Sequence, residues 1–139
     1  MRGRAFLLVA RDDVKGQTEA HWRAAAGRAY YALFLEARDA LQRWGMPPTP
    51  HQSVHWFVRL RFYNRVNADL NAIGLVLDGL SRLRNEADYR LVVPGQFIDN
   101  KEAQRAIAKA TNAIGLLDQI EADPQRRNAA IKDIRAAFP

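Results

Sequence analysis

The stretch "SRLRNEADYRL" gathers side chains suited to phosphate chemistry: Arg84, Asn85, Asp88 and Tyr89. A guanidinium binds phosphate oxygens through paired hydrogen bonds, and a carboxylate one helical turn away can orient it. On an unbroken helix Arg84 and Asp88 lie within about 40° of each other, whereas Arg84 and Tyr89 point about 140° apart. The spacing predicts an Arg84–Asp88 ion pair, with Asn85 and Tyr89 as a neighbouring pair. Two interpretations stay open, an anion-binding site and a purely structural, solvated helix face.

Three histidines and no cysteine limit the metal sites that this chain can build. His51 and His55 have the i, i+4 spacing that could share an ion. Gln52, however, stands where the metalloprotease motif needs its Glu, and no third ligand follows nearby. We therefore expect no metal and no cofactor, with one His at a helix start and the other on the surface.

The charge balance favours an anionic partner. Lys and Arg number 21 against 15 Asp and Glu, and most of the excess is Arg. Arg suits phosphate because its fork binds two oxygens at once. The charge thus favours a polyanion as partner, and the candidate phosphate contacts are Arg28, Arg59, Arg61 and Arg65. The alternative is that these dispersed charges only solvate helix faces.

The elements that must position these residues are helices, because apolar stripes of period 3.6 recur and no sustained alternation of period 2 appears. The pattern predicts a short helix ending near Asp13, a long one over 19–44, a third over about 50–65 and a fourth over about 67–90, followed by the loop "VVPGQFI" and two more helices. We expect one domain over residues 1–139, an all-α antiparallel bundle of five to six helices.

Helix ends are marked by capping residues. Gly45 should stop the long helix, and Thr49 with Gln52 should form a capping box for the third. Asp99 and Glu102 are the expected acidic cap of the fifth helix. Asp123 followed by a proline opens the sixth.

The long helix carries more apolar surface than one stripe requires. Tyr30, Tyr31 and Phe34 widen the stripe formed by small and aliphatic residues. These aromatic residues are candidates for the core or for a dimer interface, and the excess surface predicts a homodimer. "AFLLVA" is too short to span a bilayer or to serve as a signal peptide, so we expect a cytoplasmic protein without membrane contact.

Two segments, "RAYYALFLEARDAL" and "LSRLRNEADYRL", resemble the signature helices of HEPN domains, especially the small stand-alone HEPN proteins often encoded beside a minimal nucleotidyltransferase. The matching residues are Arg28, Tyr30, Tyr31, Ala32, Phe34, Ala37, His51, Leu83, Arg84, Ala87, Asp88 and Tyr89. The resemblance spans roughly residues 19–117. It implies a dimeric helical bundle that acts as a toxin or defence component, and a nucleotidyltransferase antitoxin that inhibits it.

The resemblance also implies a metal-independent ribonuclease site, in which an Arg is followed four to six residues later by a His. Arg84 with Asn85 matches the start of this motif, but the His position holds Tyr89. A His near pKa 6.5 exchanges protons at neutral pH, whereas a Tyr near pKa 10 stays protonated. Three hypotheses follow: a ribonuclease that uses Arg84 and a substitute proton carrier, a catalytically inactive dimeric module that binds RNA or protein, and a helical scaffold without a nucleic-acid role.

Overall fold

The computed structural model describes all residues from Met1 to Pro139, and every regular element is helical. A 3₁₀ turn, Gly3–Ala5, precedes six α-helices. They are α1 (Phe6–Val14), α2 (Glu19–Arg43), α3 (Val54–Phe62), α4 (Ala68–Tyr89), α5 (Lys101–Ala122) and α6 (Pro124–Ala137). The predicted all-α helical bundle is confirmed, and α2 and α4 match their predicted ranges almost residue for residue. No helix is both long and apolar enough to cross a membrane.

Helix α2 is the centre of the bundle and packs against α1, α3, α4 and α5. Its buried face is rich in alanine, which lets neighbouring backbones approach closely. Helices α2 and α4 run antiparallel, because Arg23 near the start of α2 reaches the carbonyl of Ala87, whereas Tyr31 further along meets Arg84. This antiparallel pair positions most of the candidate site.

The N-terminal segment is fastened to α2 by a buried carboxylate. Glu36 is only 2% exposed and accepts hydrogen bonds from the backbone N–H and the guanidinium of Arg4. Burial raises the pKa of Glu36, but the Arg4 hydrogen bonds outweigh it and hold that pKa below its ordinary value. Arg4 also pairs with Asp118 at 2.7 Å, so one guanidinium joins the N-terminus, α2 and α5.

The predicted stop of α2 is confirmed. Gly45 has φ +80, and its N–H donates to Gln42 while the N–H of Met46 donates to Leu41. These two bonds form the Schellman arrangement, which a glycine at the left-handed position allows. The predicted cap of α6 is confirmed as well, since the Asp123 carboxylate accepts the N–H groups of the first turn.

Helix α3 is shorter than the predicted range of 50–65. Thr49 and Gln52 bond to each other in a turn, and Ser53 caps the helix by accepting the N–H of Trp56. The capping-box prediction was therefore wrong, because Ser53, the residue directly before the helix, caps it in place of Thr49. At the other end, the Asn64 side chain accepts two backbone N–H groups and turns the chain before α4.

The predicted cap of α5 is half right. Asp99 accepts the N–H of Lys101 at 2.9 Å, whereas the Glu102 carboxylate makes no capping bond. In the preceding loop Phe97 has φ +55 and is only 2% exposed. It packs between α2 and α4, so this loop is anchored to the bundle.

Candidate functional site

Arg84 lies at the centre of the candidate site and is held from two helices. Its Nε is 3.0 Å from an Asp88 carboxylate oxygen, so the predicted ion pair is present. Nη2 donates to the Tyr31 hydroxyl at 2.7 Å, and Nη1 donates to Asn85 at 3.3 Å. The side chain is only 18% exposed, so the guanidinium is oriented before any ligand arrives.

Tyr89 lies beside Arg84, although an ideal helix would point the two apart. The Arg84 guanidinium carbon is 5.5 Å from the Tyr89 ring centre and 5.2 Å from that of Tyr31, so it lies near both rings. The prediction that Arg84 and Tyr89 diverge was wrong, because both side chains are long and α4 ends at Tyr89. Asn85 bonds to Arg84 rather than to Tyr89. Tyr89 is 70% exposed, which leaves its ring open for stacking.

Helix α3 delivers a histidine that the sequence analysis assigned to the surface. The His55 Nδ1 is 2.7 Å from the Tyr30 hydroxyl oxygen, and its ring stacks on Phe34 with centroids 4.2 Å apart. Its ring also meets Tyr31 edge-on at 6.1 Å. His51, the residue that the resemblance singled out, is exposed in the turn before α3. The i, i+4 spacing places only one of the two histidines on the inner face.

The charge state of His55 follows from its surroundings. Burial lowers the pKa of His55, and the nearby guanidinium groups of Arg84 and Arg59 lower it further. The imidazole is therefore neutral at pH 7. Burial raises the pKa of Tyr30, with the Ser81 hydroxyl and the same two guanidinium groups acting in the opposite direction. A neutral imidazole thus faces a protonated phenol.

The Tyr30 bond sets which His55 nitrogen is available. When Nδ1–H donates to the Tyr30 oxygen, Nε2 keeps a free lone pair and can accept a proton. Nε2 makes no hydrogen bond within the protein and is not sealed from solvent. In the other tautomer Nε2–H is a donor suited to a phosphate oxygen. Both forms can act on a phosphodiester.

The three aromatic residues predicted to lie in the core or at a dimer interface all pack within one protomer. Tyr30 and Phe34 are 1% and 4% exposed and belong to the main core. Tyr31 is half-buried and packs against Phe6 of α1. The surface on which the dimer prediction was based is therefore covered by α1 and α3.

The four predicted basic contacts separate into two groups. Arg28 is exposed and lines a cavity of about 170 Å³ with Tyr31 and Asp88, beside Arg84. Arg59 pairs with Asp78, and its charge acts on His55. Arg61 stacks on Phe57 and Phe138, and exposed Arg65 bonds to Tyr63. Of these four arginines, only Arg28 and Arg59 belong to the same site as Arg84.

Arg23 is a further residue that the sequence analysis missed. It is buried and donates to backbone carbonyls at the end of α4, those of Glu86, Ala87, Arg90 and Leu91. Its guanidinium also lies 4.6 Å from the Phe97 ring centre. These bonds satisfy the last carbonyls of α4 and fix the turn that carries Tyr89. The sequence did carry one signal of its burial. Arg23 lies three and four residues before Ala26 and Gly27, and therefore on the same buried face of the helix.

The site is a cluster of side chains from α2, α3 and α4, in which Tyr31 contacts both Arg84 and His55. The largest cavity, about 640 Å³, lies between α4 and α5, and neither Arg84 nor any side chain that contacts it lines this cavity. No three His, Cys, Asp or Glu side chains are grouped so that they could hold a metal ion. Comparisons with protein-family models, curated proteins and solved structures find no match. The cluster is basic, and the cavity that Tyr31 and Asp88 line there is only about 170 Å³, so the site suits a polymer lying along the surface better than an enclosed small molecule.

Proposed function

We propose that this protein is a HEPN-type, RNA-directed component of a toxin–antitoxin or defence pair and cleaves RNA in the cytoplasm without a metal ion. The supporting observation is that His55, a neutral imidazole, shares its neighbour Tyr31 with Arg84 and lies within reach of the charges of Arg84 and Arg59. Cleavage of RNA by its own 2′-hydroxyl requires a proton acceptor for that hydroxyl, a proton donor for the leaving oxygen and a cation that stabilises the phosphorane. This histidine comes from α3, in place of the one missing at Tyr89.

The proposed reaction proceeds through a cyclic phosphate. His55 Nε2 accepts the proton of the 2′-hydroxyl, whose oxygen then bonds to the adjacent phosphorus. Arg84 stabilises the negative charge that grows on the phosphorane oxygens. The P–O5′ bond breaks, and the leaving oxygen takes a proton from the exposed Tyr89 phenol. His55 then releases its proton to solvent, and Tyr89 regains one from solvent. The products are a 2′,3′-cyclic phosphate and a 5′-hydroxyl end.

Binding of the substrate needs groups that contact phosphate and base. Arg28 is exposed and forms no ion pair, so its charge is free for a neighbouring phosphate. Tyr89 offers an open ring, and stacking of a base on an aromatic ring contributes about 1–3 kcal/mol. These features favour single-stranded RNA, whose bases can leave the helix and stack.

The partners follow from the resemblance. The protein is proposed to act as a homodimer and to be restrained by a nucleotidyltransferase antitoxin. With Tyr30 and Phe34 inside the core, the dimer requires another surface. Exposed apolar side chains are available at Trp56, Tyr63 and Leu75.

A second candidate function is a catalytically inactive dimeric module that binds RNA or protein. It is favoured by the Arg84–Asp88 pair, because Asp88 already neutralises the cation that would stabilise the phosphorane. Such a module should still bind RNA with an affinity that falls steeply as salt rises, since phosphate contacts release counterions. A scaffold without a nucleic-acid role would show no such dependence.

The deciding experiment is a cleavage assay on single-stranded RNA in EDTA. His55→Gln should lower the cleavage rate by about 10²- to 10⁴-fold, the usual contribution of a positioned acid–base group. Arg84→Ala should lower it comparably. His51→Gln is the matched control, because it removes an exposed imidazole four residues earlier and should leave the rate unchanged. Cleavage that survives His55→Gln would exclude the proposed proton acceptor.

Tyr30→Phe tests, in the same cleavage assay, whether Tyr30 orients His55 or only contributes to folding. It removes the group that orients His55 while keeping the ring that packs in the core. We expect a shifted pH–rate profile together with a lower rate, since the imidazole loses its preferred tautomer. An unchanged profile would contradict the assigned role of Tyr30.

Tyr89→His tests the HEPN resemblance itself. It restores an imidazole at the position where the family places one, beside Arg84. We expect it to raise cleavage in EDTA, by at most about 10²- to 10⁴-fold, and Arg84→Ala should abolish the gain. A folded Tyr89→His variant with no added activity would favour the inactive module.

A further inference from the structure

At the end of α3 remote from His55, the guanidinium of Arg61 is enclosed by two aromatic rings. Its central carbon is 3.8 Å from the ring centre of Phe57 and 4.1 Å from that of Phe138. The first ring comes from α3 itself and the second follows α6. This arrangement fixes the plane and the position of the cation.

The charge of Arg61 has no partner in the protein. None of the chain's ion pairs includes Arg61 or Arg135. Nη1 of Arg61 is sealed from solvent and has no hydrogen-bond partner. Burial lowers the pKa of Arg61, and no carboxylate counters this effect. A partly buried cation without a counterion is costly, and an anionic ligand would remove that cost.

A cavity of about 500 Å³ opens beside this guanidinium. Arg135 of α6 also lines the cavity and reaches towards Gly45, while Met46 and Phe138 supply apolar surface. No Asp or Glu side chain lines the cavity. Pro139 also lines the cavity.

We propose that this pocket binds a phosphomonoester that carries an apolar or aromatic body. Two guanidinium forks, neither of which belongs to an ion pair, match the double negative charge of a terminal phosphate. The volume exceeds that of a phosphate alone and lies within the range of small-molecule sites. The pocket contains none of the residues of the Arg84 site, so the proposal does not rest on the proposed function.

The test is calorimetric titration with phenyl phosphate, with phenol as the uncharged comparison. We expect saturable binding of phenyl phosphate with a Kd of about 1 mM or below, and none of phenol. Arg61→Gln and Arg135→Gln should each weaken binding about tenfold or more, because each removes charge-assisted hydrogen bonds. Arg65→Gln is the matched control, since it removes the same charge from an exposed residue outside the pocket.

Two further titrations identify the source of the phosphate. AMP represents a free nucleotide, and an oligoribonucleotide with or without a 5′-phosphate represents an RNA end. Binding that needs the 5′-phosphate and is weakened by Arg135→Gln would assign the pocket to RNA ends, and binding of AMP alone would assign it to small molecules. The proposal is overturned if phenyl phosphate does not bind, or if both pocket variants bind as well as Arg65→Gln. Arg135 is exposed, so its variant decides the matter even if Arg61→Gln fails to fold.

Discussion

Arg23 and Arg84 show how the same side chain performs different tasks in different surroundings. Arg23 bonds mainly to the backbone: its guanidinium donates to four carbonyls, and its Nε also donates to the Glu19 carboxylate. Arg84 bonds to side chains and keeps part of its surface towards solvent. The first arrangement stabilises the end of α4, whereas the second leaves a cation that a ligand can reach.

Replacing Arg23 should therefore destabilise the fold. Arg23→Gln leaves several carbonyls without a donor, and a hydrogen bond to a charged group contributes about 1.5–3 kcal/mol. Because Arg90 and Leu91 are exposed and water can replace the guanidinium there, we expect a loss of about 2–4 kcal/mol rather than the sum over all four bonds. Urea unfolding measures it. Arg11→Gln is the control, because Arg11 is exposed and makes one long bond to Thr111. Equal effects of the two variants would show that the Arg23 bonds add no stability.

Removing the partner of Arg84 should have a much smaller effect. Asp88 is 37% exposed and belongs to an i, i+4 pair, a class that contributes only about 0.3–0.5 kcal/mol. Asp88→Asn should thus lower the free energy of unfolding by no more than about 0.5 kcal/mol. It should also raise RNA affinity, since a negative charge leaves the phosphate site. A loss of several kcal/mol would mean that the pair is effectively buried.

At the scale of elements, the short helix α3 supplies the imidazole on which the proposed chemistry depends. One face of it carries His55 towards Tyr30 and Phe34 of α2, while Arg61 near its other end contacts Phe138 after α6. The helix thus connects the two candidate anion sites. Its start at Val54, set by the Ser53 cap, fixes which residues face inward.

This placement predicts a pH dependence of stability. The charged or titratable groups around His55 are Tyr30 and Tyr31 of α2, Arg59 of α3 and Arg84 of α4. Because the pKa of His55 is lower in the folded protein than in the unfolded chain, the unfolded chain binds more protons between the two values. The stability that neutral His55 contributes to the folded protein is fully present above about pH 6.5 and is lost as pH falls through the pKa of His55 in the folded protein.

The measurement is urea unfolding at pH 8 and pH 5.5 on wild type and His55→Gln. We expect the wild type to lose more stability on acidification than the variant, because the variant lacks the group that titrates. His51→Gln should behave like the wild type, since His51 is exposed before the helix. Identical losses in all three proteins would contradict the lowered pKa.

At the scale of the whole molecule, the proposed homodimer needs a surface other than the buried aromatic stripe. Trp56, Tyr63 and Leu75 surround a cavity of about 280 Å³ on the outside of α3 and α4. Exposed apolar groups of this kind are common at interfaces between copies. We expect sedimentation at micromolar concentration to give roughly twice the protomer mass of 15.8 kDa.

Leu75→Lys tests whether this surface forms the dimer. It should shift the protein to the protomer mass, because a charge at an apolar interface is unfavourable. Leu8→Lys is matched to it, since both leucines are 63% exposed, and it should leave the mass unchanged. A wild type that sediments only as a monomer would exclude the dimer altogether.

The sequence alone determined the features that depend on neighbours within one or two helical turns. The period of 3.6 gave the helices, Gly45 and Asp123 marked two of their ends, and the spacing of Arg84 and Asp88 gave their ion pair. Each of these rests on the geometry of a single helix, which residue spacing specifies directly. The Thr49 cap was wrong because several local hydrogen bonds competed at nearly equal energy.

Only the tertiary structure decided which helices meet and which side chains therefore share a cleft. His55 reaches Tyr30 because α3 packs on α2, and Arg23 is buried because the end of α4 lies across the start of α2. Arg59 and Arg61 are two positions apart in sequence, yet they point to different sites. Contacts across 25 to 68 positions depend on how whole apolar faces pack, and local residue patterns do not encode that choice.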